Sequence, residues 1–598
     1  MKEPATNRPD FIPASLPTST SCYTTTNAEY SLNGLWEFIF LGETATDVLP
    51  ELPQNAWEKV LVPSAFDASV TLPGRRGLAC YRCSLEIPPG CAAQLWFGAL
   101  SLWSRVYVDG QLLRENACGY EPMRVSIPPS PHSLRELLVL VDNRFNFEIT
   151  PMHEPYFDFY QYGGILREVK LRIRPPEGPW LEDIRVTPGE NYRSGAITVD
   201  ILVGGEPCGK QFDLMVIVDR HERQFLTSLR ARTDSDSSFR FDLRVPSPRL
   251  WSPQAPELHQ LKILLQDKDG KEQDSRLVRF GLRRIQARDG RLWLNDEPLV
   301  LKGVNRHEWH PNYGPCTPPS QMFSDIQWMK AMGCNCVRGS HYPQDQRFLD
   351  LCDELGLLVW EENLGWGQRE KTFASAKFVE DHRQALLSMV RESYNHPCVF
   401  CWGFLNEAGT DSDYVRPVME ETVALLRAED PQRLITFASM YAFTDQYFDL
   451  VDFISVNTYP GWYGCEQADK PLALIRTRLE EIVASVDERG LTDKPVVISE
   501  IGAEGLYGWR DAHGDFFTES YQARHLKAAI EAVLDIPRYS GILLWHFSDV
   551  RTYSGGRSLM RPRTFNNKGT LDEYRRPKEA FVAVKACFTD TTETEVDA

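Results

Sequence analysis

The feature of this sequence that most constrains its fold is a change of pattern near Leu299. From that residue onward, short apolar runs with the character of buried strands alternate with amphipathic helical stretches. Such alternation is typical of parallel strands joined by helical crossovers. Eight candidate strands follow the pattern, at 299–306, 334–340, 357–363, 399–407, 434–439, 453–459, 495–502 and 540–549. Eight parallel strands within roughly 300 residues predict a closed (β/α)8 TIM barrel.

Helical segments are predicted between most of these strands. They include 320–332, 344–355, 379–394 and 473–487. The crossover between the fifth and sixth strands is short, and it is the weakest part of the pattern.

The residues before the barrel have the pattern of β-sandwiches. Short alternating runs recur up to about residue 285, with Pro, Gly, Asn and Asp clusters between them. A Pro-rich break at 174–179 divides this part, and the second half, of about 110 residues, has the size of an immunoglobulin-like module. We therefore predict a multidomain β plus α/β protein, with a β-sandwich over 1–176, an immunoglobulin-like β-sandwich over 177–285 and the barrel over 286–598.

The charge balance disfavours two classes of partner. The chain has 65 Lys and Arg against 83 Asp and Glu, a formal net charge of −18, whereas nucleic acids and anionic membranes favour a basic surface. No stretch approaches the roughly 18 apolar residues of a membrane span, and residues 1–16 are polar and interrupted by prolines, unlike a signal peptide. We therefore expect a cytoplasmic enzyme with no nucleic-acid or membrane partner.

Two sequence features imitate metal sites. Cys80 and Cys83 have metal-compatible spacing, as do Cys398 and Cys401, but both pairs fall in strand-like segments where thiols behave as small apolar side chains. The run His-Glu-Trp-His at 307–310 resembles a metalloprotease helix motif, but it has one residue between Glu and the second His where two are required. We therefore predict reduced, buried thiols and no metal.

Polar and aromatic residues end seven of the eight predicted strands. A TIM barrel holds its active site at these carboxyl ends. Packing alone does not explain so regular a pattern, and aromatic rings suit the C–H faces of a sugar whose hydroxyls need polar partners. The segments are 305–308, 338–342, 361–363, 406–407, 457–459, 499–500 and 545–549. Together they predict a sugar-binding site.

Two glutamates on opposing strands suit the cleavage of a glycosidic bond. Glu407 ends the fourth strand and Glu500 ends the seventh. One carboxyl protonates the leaving oxygen while the other attacks the anomeric carbon, and a separation of about 5 Å gives retention. We expect their surroundings to raise the pKa of the acid and to lower that of the nucleophile. Candidate sources of charge and hydrogen bonds for this task are His307, Arg338, His341 and Asn406.

The segments that carry this chemistry resemble those of glycoside hydrolase family 2, the group of β-galactosidases and β-glucuronidases. The matching segments are GILR at 164–167 with Val169, GVNRHE at 303–308, RGSHYP at 338–343, NHP at 395–397 before Asn406 and Glu407, and SE at 499–500. The resemblance implies a jelly-roll-like, sugar-binding sandwich, an immunoglobulin-like sandwich and a TIM barrel. It implies Glu407 as acid/base and Glu500 as nucleophile, with Tyr459 beside the nucleophile and Asn406 near the 2-hydroxyl of the sugar.

A narrower resemblance concerns the substrate. Asn566-Asn567-Lys568 is similar to the Asn-x-Lys element of β-glucuronidases, and a Lys with an Asn at the barrel mouth can pair with a C6 carboxylate. A neutral galactoside would leave that ammonium unpaired. Asp158 and Tyr463 also match uronidase positions, one reaching a ring hydroxyl and the other lying beside the carboxylate. The expected substrate-binding residues are Asp158, His307, Arg338, His341, Asn406, Tyr459, Tyr463, Trp545, Arg561, Arg563, Asn566 and Lys568.

The stretch before the Asn-x-Lys element departs from the family pattern. β-Glucuronidases have one Arg there, near the C4 hydroxyl of the sugar. This chain has two, Arg561 and Arg563, and the sequence leaves open which of them faces the sugar. Because C4 separates glucuronate from galacturonate, β-galacturonidase is the alternative to β-glucuronidase, and β-galactosidase is a third.

The resemblance implies a retaining exo-β-glycosidase that hydrolyses β-D-glucuronides through a covalent glycosyl-enzyme. We expect no cofactor, and a homo-oligomer, either a dimer or a tetramer. The segment 364–373 after the third strand is short, which predicts an open mouth that tolerates bulky or oligosaccharide aglycones.

Overall fold

The computed structural model describes most of the chain, as residues 29–45, 49–174, 179–205, 211–218, 222–230, 237–465, 467–553 and 561–589. Residues 1–16 and most of the predicted break at 174–179 lie outside these ranges. Within them, no helix combines the length and the apolar character needed to cross a membrane.

The N-terminal part is a β-sandwich of antiparallel sheets, as the alternating runs predict. Inward-facing apolar side chains, such as Trp36, Phe97 and Val139, form its core. The four-stranded sheet has the order Glu29–Ser31, Val169–Arg174, Ala92–Phe97 and Met123–Ile127. The six-stranded sheet has the order Glu58–Val62, Gly34–Gly42, Leu78–Glu86, Leu134–Asp142, Trp103–Val108 and Gln111–Asn116. A small third sheet consists of Ser64–Ala65, Gly164–Ile165 and Leu100–Ser101.

A second, smaller sandwich follows, with Val199, Val216 and Ile263 in its core. Its three-stranded sheet is Trp180–Pro188, Ala196–Gly204 and Ser237–Arg244. Its four-stranded sheet is Glu222–Arg230, Gln211–Val218, His259–Asp267 and Glu272–Phe280. Seven antiparallel strands in two sheets match the strand number of an immunoglobulin constant-type module.

Eight parallel strands close into a barrel after this point, which confirms the predicted TIM barrel. An antiparallel ribbon, Ile285–Arg288, Arg291–Leu294 and Glu297–Leu299, leads into it. Strands β1 to β8 are Leu301–Arg306, Cys336–Gly339, Leu358–Glu362, Val399–Asn406, Leu434–Ser439, Ile454–Asn457, Val496–Ile501 and Tyr539–Leu544. Each strand pairs with the next, and β8 pairs with β1. Nearly all their residues are buried, as expected for strands between a filled interior and an outer layer of helices.

Helices surround the barrel. Helices α1 to α8 are Pro319–Ala331, Gln346–Leu355, Glu370–Phe373, Ala376–Ser393, Arg416–Glu429, Ala473–Glu488, Glu519–Asp535 and Glu579–Thr589. Short 3₁₀ helices lie at Phe66–Ala68, Tyr192–Ser194, Asp413–Val415 and Pro562–Thr564. Between β5 and β6, where every residue is described, the chain forms a loop without an α-helix. After β8, strands Val550–Arg551 and Phe565–Asn566 form a small hairpin-like sheet near the barrel mouth.

Buried polar contacts anchor the first sandwich on the barrel. Arg167 Nη2 donates to Glu308 Oε2 at 2.7 Å, and Trp309 Nε1 donates to the hydroxyl of Tyr162 at 2.8 Å. Glu308 is thus engaged with an arginine of the sandwich. These contacts hold the loop that carries Asp158 against the carboxyl ends of the barrel strands.

The four cysteines with metal-like spacing are free thiols. Cys80, Cys398 and Cys401 are buried, and Cys83 is half-buried. Burial raises the pKa of Cys80 to about 12 and those of Cys398 and Cys401 well above the ordinary range. The thiols therefore stay protonated. Cys80, Cys83 and Cys401 lie in strands as predicted, whereas Cys398 lies in the turn just before β4.

Candidate active site

Glu407 and Glu500 lie at the carboxyl ends of β4 and β7. Glu407 directly follows β4 in a left-handed conformation, with φ of 52°, and its backbone N–H donates to the carbonyl of Ala438 at 2.8 Å. Glu500 pairs in register with Asn457 of β6. Both glutamates line one cavity of about 670 Å³ at the barrel mouth. That volume lies within the range of pockets that hold drug-sized ligands.

Glu500 is held by two donors and is almost inaccessible to solvent. Arg338 Nη1 donates to Oε1 at 2.8 Å, and the Tyr459 hydroxyl donates to Oε2 at 2.6 Å. Burial raises the pKa of Glu500 to about 8, with the negative charge of Glu407 adding to the rise, whereas Arg338 and Tyr459 act against it. The expected lowering of the nucleophile's pKa is therefore not what this site shows, because loss of water outweighs the two donors.

Arg338 is the centre of the hydrogen-bond network around Glu500. Its guanidinium donates to both oxygens of Glu362, at 2.7 and 2.9 Å. It also donates to the side-chain oxygens of Asn305 at 3.0 Å and Asn406 at 2.8 Å. Although burial acts to lower it, the pKa of Arg338 is raised by Glu362 and Glu500. The guanidinium therefore stays charged and is fixed in one orientation.

Glu407 is half-buried and accepts two hydrogen bonds from neutral groups. Trp366 Nε1 donates to Oε2 and Asn457 Nδ2 donates to Oε1, both at 3.0 Å. Asn457 Nδ2 also donates to Asn406 Oδ1 at 3.0 Å, which fixes the orientation of that amide. The buried Nδ2 of Asn406 has no hydrogen-bond partner among the residues that the structure describes. It is a donor available to a ligand hydroxyl.

Aromatic rings form one wall of the site. Trp545 and His341 stack with ring centroids 5.2 Å apart and an interplanar angle of 14°, and both line the cavity. His307 meets Trp545 edge-on, with centroids 5.4 Å apart. Burial, reinforced by the neighbouring cations, lowers the pKa of both histidines well below their usual range. They are therefore neutral and contribute ring faces and hydrogen bonds, not the positive charge that the sequence suggested.

The structure brings Arg561 to the cavity and turns Arg563 away from it. Arg561 is buried, and its Nε donates to Asp158 Oδ2 at 3.0 Å while Nη2 donates to the Tyr463 hydroxyl at 2.9 Å. Arg563 donates to Glu573 Oε1 at 3.0 Å, and its side chain is 46% exposed. The candidate Arg563 therefore does not join the other site residues, and Arg561 is the arginine that faces the cavity.

Lys568 is buried behind the cavity wall and already has a carboxylate partner. Its Nζ donates to the Tyr463 hydroxyl at 2.9 Å and to Glu504 Oε1 at 3.3 Å. The expectation that the ammonium is unpaired without a uronate is therefore wrong, because Glu504 supplies a counter-charge. Asn566 Nδ2 donates to Asp158 Oδ2 at 3.0 Å, so the Asn-x-Lys element is folded against the loop from the first sandwich.

Four residues of this network were not named individually as catalytic or substrate-binding candidates. Glu362 and Asn457 end β3 and β6, within strand-end segments that the sequence pattern assigns to the sugar-binding site without giving either residue a role. Trp366 lies in the loop after β3, and Glu504 lies in the loop after β7 between Ala503 and Gly505. Glu504 is the only charged residue in the mostly apolar segment 501–506, and such a residue indicates a buried ion pair.

Comparison with known proteins agrees with this fold. The model for the TIM barrel domain of glycosyl hydrolases family 2 matches residues 285–592, and a second model, for glycosyl hydrolases family 2, matches residues 181–283. The first of these covers more than half of the chain. The two matches lie on the barrel and on the second sandwich.

Individual relatives point the same way. The chain is 27% identical to a β-glucuronidase of Streptococcus agalactiae, over 93% of this chain and 95% of that protein. It is 26% identical to the β-glucuronidase of Homo sapiens, over 81% of this chain and 76% of that protein. The solved structure of a β-galacturonidase from Eisenbergiella tayi bound to galacturonate has a TM-score of 0.86 and 30% identity, over 94% of this chain and 98% of that one. This chain therefore belongs to glycoside hydrolase family 2 and is a glycoside hydrolase.

Proposed function

We propose that this chain is a retaining exo-β-glycosidase that hydrolyses β-D-glucuronides, with Glu500 as nucleophile and Glu407 as general acid and base. The observation that carries the proposal is the setting of Glu500. One of its oxygens accepts from Arg338, the other accepts from Tyr459, and Glu407 lines the same cavity. A carboxylate fixed in this way can attack the anomeric carbon while a second carboxyl protonates the leaving group.

The first half-reaction forms a bond between a Glu500 oxygen and the anomeric carbon. The bond from that carbon to the glycosidic oxygen breaks, and the proton of Glu407 passes to this oxygen, so that the aglycone leaves as an alcohol. In the second half-reaction Glu407, now a carboxylate, takes a proton from the water that attacks the anomeric carbon. The ester bond to Glu500 breaks, and two inversions give overall retention.

The protonation state of the pair supports this cycle. The reaction needs one proton on the pair, and the raised pKa of Glu500, about 8, keeps a proton there through the neutral range. Movement of that proton from Glu500 to Glu407 produces the reactive form. The amount of the reactive form is proportional to the amount of enzyme in which the two carboxyls together hold one proton. It does not matter which carboxyl holds that proton in the resting enzyme.

The network around Glu500 supports the charge changes of both steps. Arg338 and Tyr459 are already oriented toward the carboxylate, which must reappear when the ester bond breaks in the second step. The unpartnered Nδ2 of Asn406 is suited to the 2-hydroxyl of the sugar. A hydrogen bond at that hydroxyl strengthens as positive charge develops at the anomeric carbon.

A charged part of the cavity wall supports a uronic acid as the sugar. Asp158, Tyr463 and Arg561 form it, and Lys568 stands directly behind Tyr463. Two cations that share one tyrosine hydroxyl offer a carboxylate strong, charge-assisted hydrogen bonds. Asp158 is suited to accept from a ring hydroxyl on the same side.

β-Galacturonidase is the second candidate function. The observation that favours it is the 30% identity and the TM-score of 0.86 with the β-galacturonidase of known structure. Arg561 lines the cavity, and the resemblance implies an arginine near the C4 hydroxyl, so we expect its surroundings to influence the choice between the two epimers. A cytoplasmic location and a homo-oligomeric state stay predictions.

Matched nitrophenyl β-D-glucuronide, β-D-galacturonide and β-D-galactoside test the proposal. We expect kcat/KM to be highest for the glucuronide and lowest for the neutral galactoside. A higher value for the galacturonide would select the second candidate, and a preference for the galactoside would contradict a uronidase. NMR of the first-formed sugar is expected to show the β-anomer, and an initial α-anomer would contradict the double displacement.

A further inference from the structure

Glu504 is a buried carboxylate for which the proposed mechanism has no use. It lies in the loop after β7, and its side chain is fully buried. Oε1 accepts from Arg561 Nη1 at 2.5 Å and from Lys568 Nζ at 3.3 Å, while Oε2 accepts from Asn567 Nδ2 at 3.2 Å. Glu504 is therefore shared by the two cations that are proposed to recognise the substrate carboxylate.

Two carboxylates pair with these two cations. Among the contacts that the structure describes, Arg561 pairs with Asp158 and Glu504, and Lys568 pairs with Glu504. Two positive and two negative side chains thus form one cluster, and all four are largely buried. The positive charges of Lys568 and Arg561 are therefore already shared with carboxylates of the protein.

A substrate carboxylate must compete with Glu504 for its cations. Any anion that hydrogen-bonds to Lys568 or Arg561 shares that cation with Glu504, because Glu504 Oε1 is already within hydrogen-bond distance of both. Two carboxylates held by one buried cation repel each other, since little water is present to screen them. A neutral sugar with a CH2OH group at C6 does not experience this repulsion.

We infer that Glu504 is a specificity-determining residue that limits the affinity of the site for a uronic acid, an inference that rests on the proposed uronidase function. Glu504 keeps Lys568 and Arg561 oriented toward Tyr463 and at the same time opposes the binding of a second carboxylate. The uronic acid released by hydrolysis is then held less tightly. Binding energy that is spent equally on the substrate and the transition state does not raise kcat.

Glu504→Gln separates the charge of this residue from its shape. The amide keeps an oxygen that can accept from Arg561 and Lys568, but it removes the negative charge. We expect the inhibition constants of free glucuronate and galacturonate, measured against a nitrophenyl uronide, to fall about tenfold, the effect of one like charge at close range. The inhibition constant of galactose, which has no carboxylate, is expected to stay near the wild-type value.

Glu573→Gln is the matched control, because Glu573 pairs with Arg563 away from the cavity. It is expected to leave all three inhibition constants unchanged. If the melting temperature shows that Glu504→Gln is poorly folded, Glu504→Asp gives the converse test. Aspartate keeps the charge, so the ratio of the glucuronate to the galactose inhibition constant is expected to stay near the wild-type ratio.

The outcomes distinguish this inference from the proposed function. Glucuronate and galacturonate inhibition constants that stay the same or rise in Glu504→Gln, in an enzyme whose wild type hydrolyses uronides, would overturn the role of Glu504. A tenfold fall of the ratio in Glu504→Asp would overturn it as well. A wild type that hydrolyses no uronide would instead remove the proposed function on which the inference rests.

Discussion

Arg338 and Glu500 are joined by a hydrogen bond of 2.8 Å between Nη1 and Oε1, and both side chains are buried. Arg338 is itself held by both oxygens of Glu362 at the end of β3. The orientation of Glu500, the proposed nucleophile, therefore depends on residues on β2 and β3 that need not contact the sugar. A change at Arg338 is expected to affect the reaction at Glu500 more than it affects binding.

Arg338→Lys is expected to lower kcat by about 100-fold or more. A lysine ammonium cannot reproduce the planar set of donors that reaches Glu362, Asn406 and Glu500 together. The lysine keeps a positive charge near Glu500, but it loses the hydrogen bond by which Arg338 helps to lower the pKa of that carboxyl. Steady-state kinetics on a nitrophenyl uronide checks the prediction, and a variant that changes KM while kcat stays the same would contradict it.

The pH profile is expected to depend on the leaving group. The pKa of Glu500 is raised to about 8, so the pair of carboxyls holds a proton below that pH and loses it above. For an alkyl uronide, whose leaving group must be protonated, kcat/KM is expected to fall above about pH 8. For a dinitrophenyl uronide, which needs little protonation, the fall is expected to be absent. Identical alkaline limbs for both substrates would argue against this assignment of the proton.

Lys568→Ala is expected to reduce kcat/KM for uronides by at least about 100-fold. A charge-assisted contact is worth about 1.5–3 kcal/mol, or roughly ten- to 150-fold in rate, and the loss is larger where a buried carboxylate is left unpaired. Here the variant leaves Glu504 with one cation fewer as well. Residual activity on a galactoside is expected to change much less, and equal losses on uronides and galactosides would make Lys568 a structural residue.

The two arginines near the Asn-x-Lys element are expected to respond differently to the same substitution. Arg561→Lys is expected to lower kcat/KM for uronides by more than about tenfold, because one ammonium cannot bridge Asp158, Glu504 and Tyr463. Arg563→Lys is expected to leave the kinetics close to those of the wild type. Kinetics of both variants on one uronide check this, and a larger effect at Arg563 would show that the wrong arginine has been placed in the site.

The sequence predicts the fold well because the spacing of apolar residues along the chain reflects which side chains are buried. Parallel strands are apolar along their whole length, so β1 to β8 stand out as runs between helical segments, and all eight are confirmed. Glu407 and Glu500 are visible for a related reason. A carboxylate at the end of an apolar strand lies at the face of a barrel where ligands bind.

Properties that depend on the three-dimensional surroundings are not visible in the sequence. Arg561 and Arg563 are two residues apart, and the sequence does not reveal that the backbone adopts a left-handed conformation at Arg563, with φ of 62°, or that its side chain pairs with Glu573. The raised pKa of Glu500 results from the depth of its burial. The pairing of Glu504 with Lys568 joins two loops that are distant in sequence.

Mass spectrometry of a trapped intermediate tests the central claim, that Glu500 is the nucleophile of a double displacement. The reagent is a 2-deoxy-2-fluoro-β-D-glucuronosyl fluoride. Its fluorine at C2 destabilises the transition states of both steps, while its fluoride leaving group keeps the first step fast. The glycosyl-enzyme is therefore expected to accumulate. The account predicts inactivation with one sugar attached to the peptide that contains Glu500, and no such product in Glu500→Gln. A label on the peptide that contains Glu407, or hydrolysis by the wild type to an initial α-anomer without any label, would contradict it.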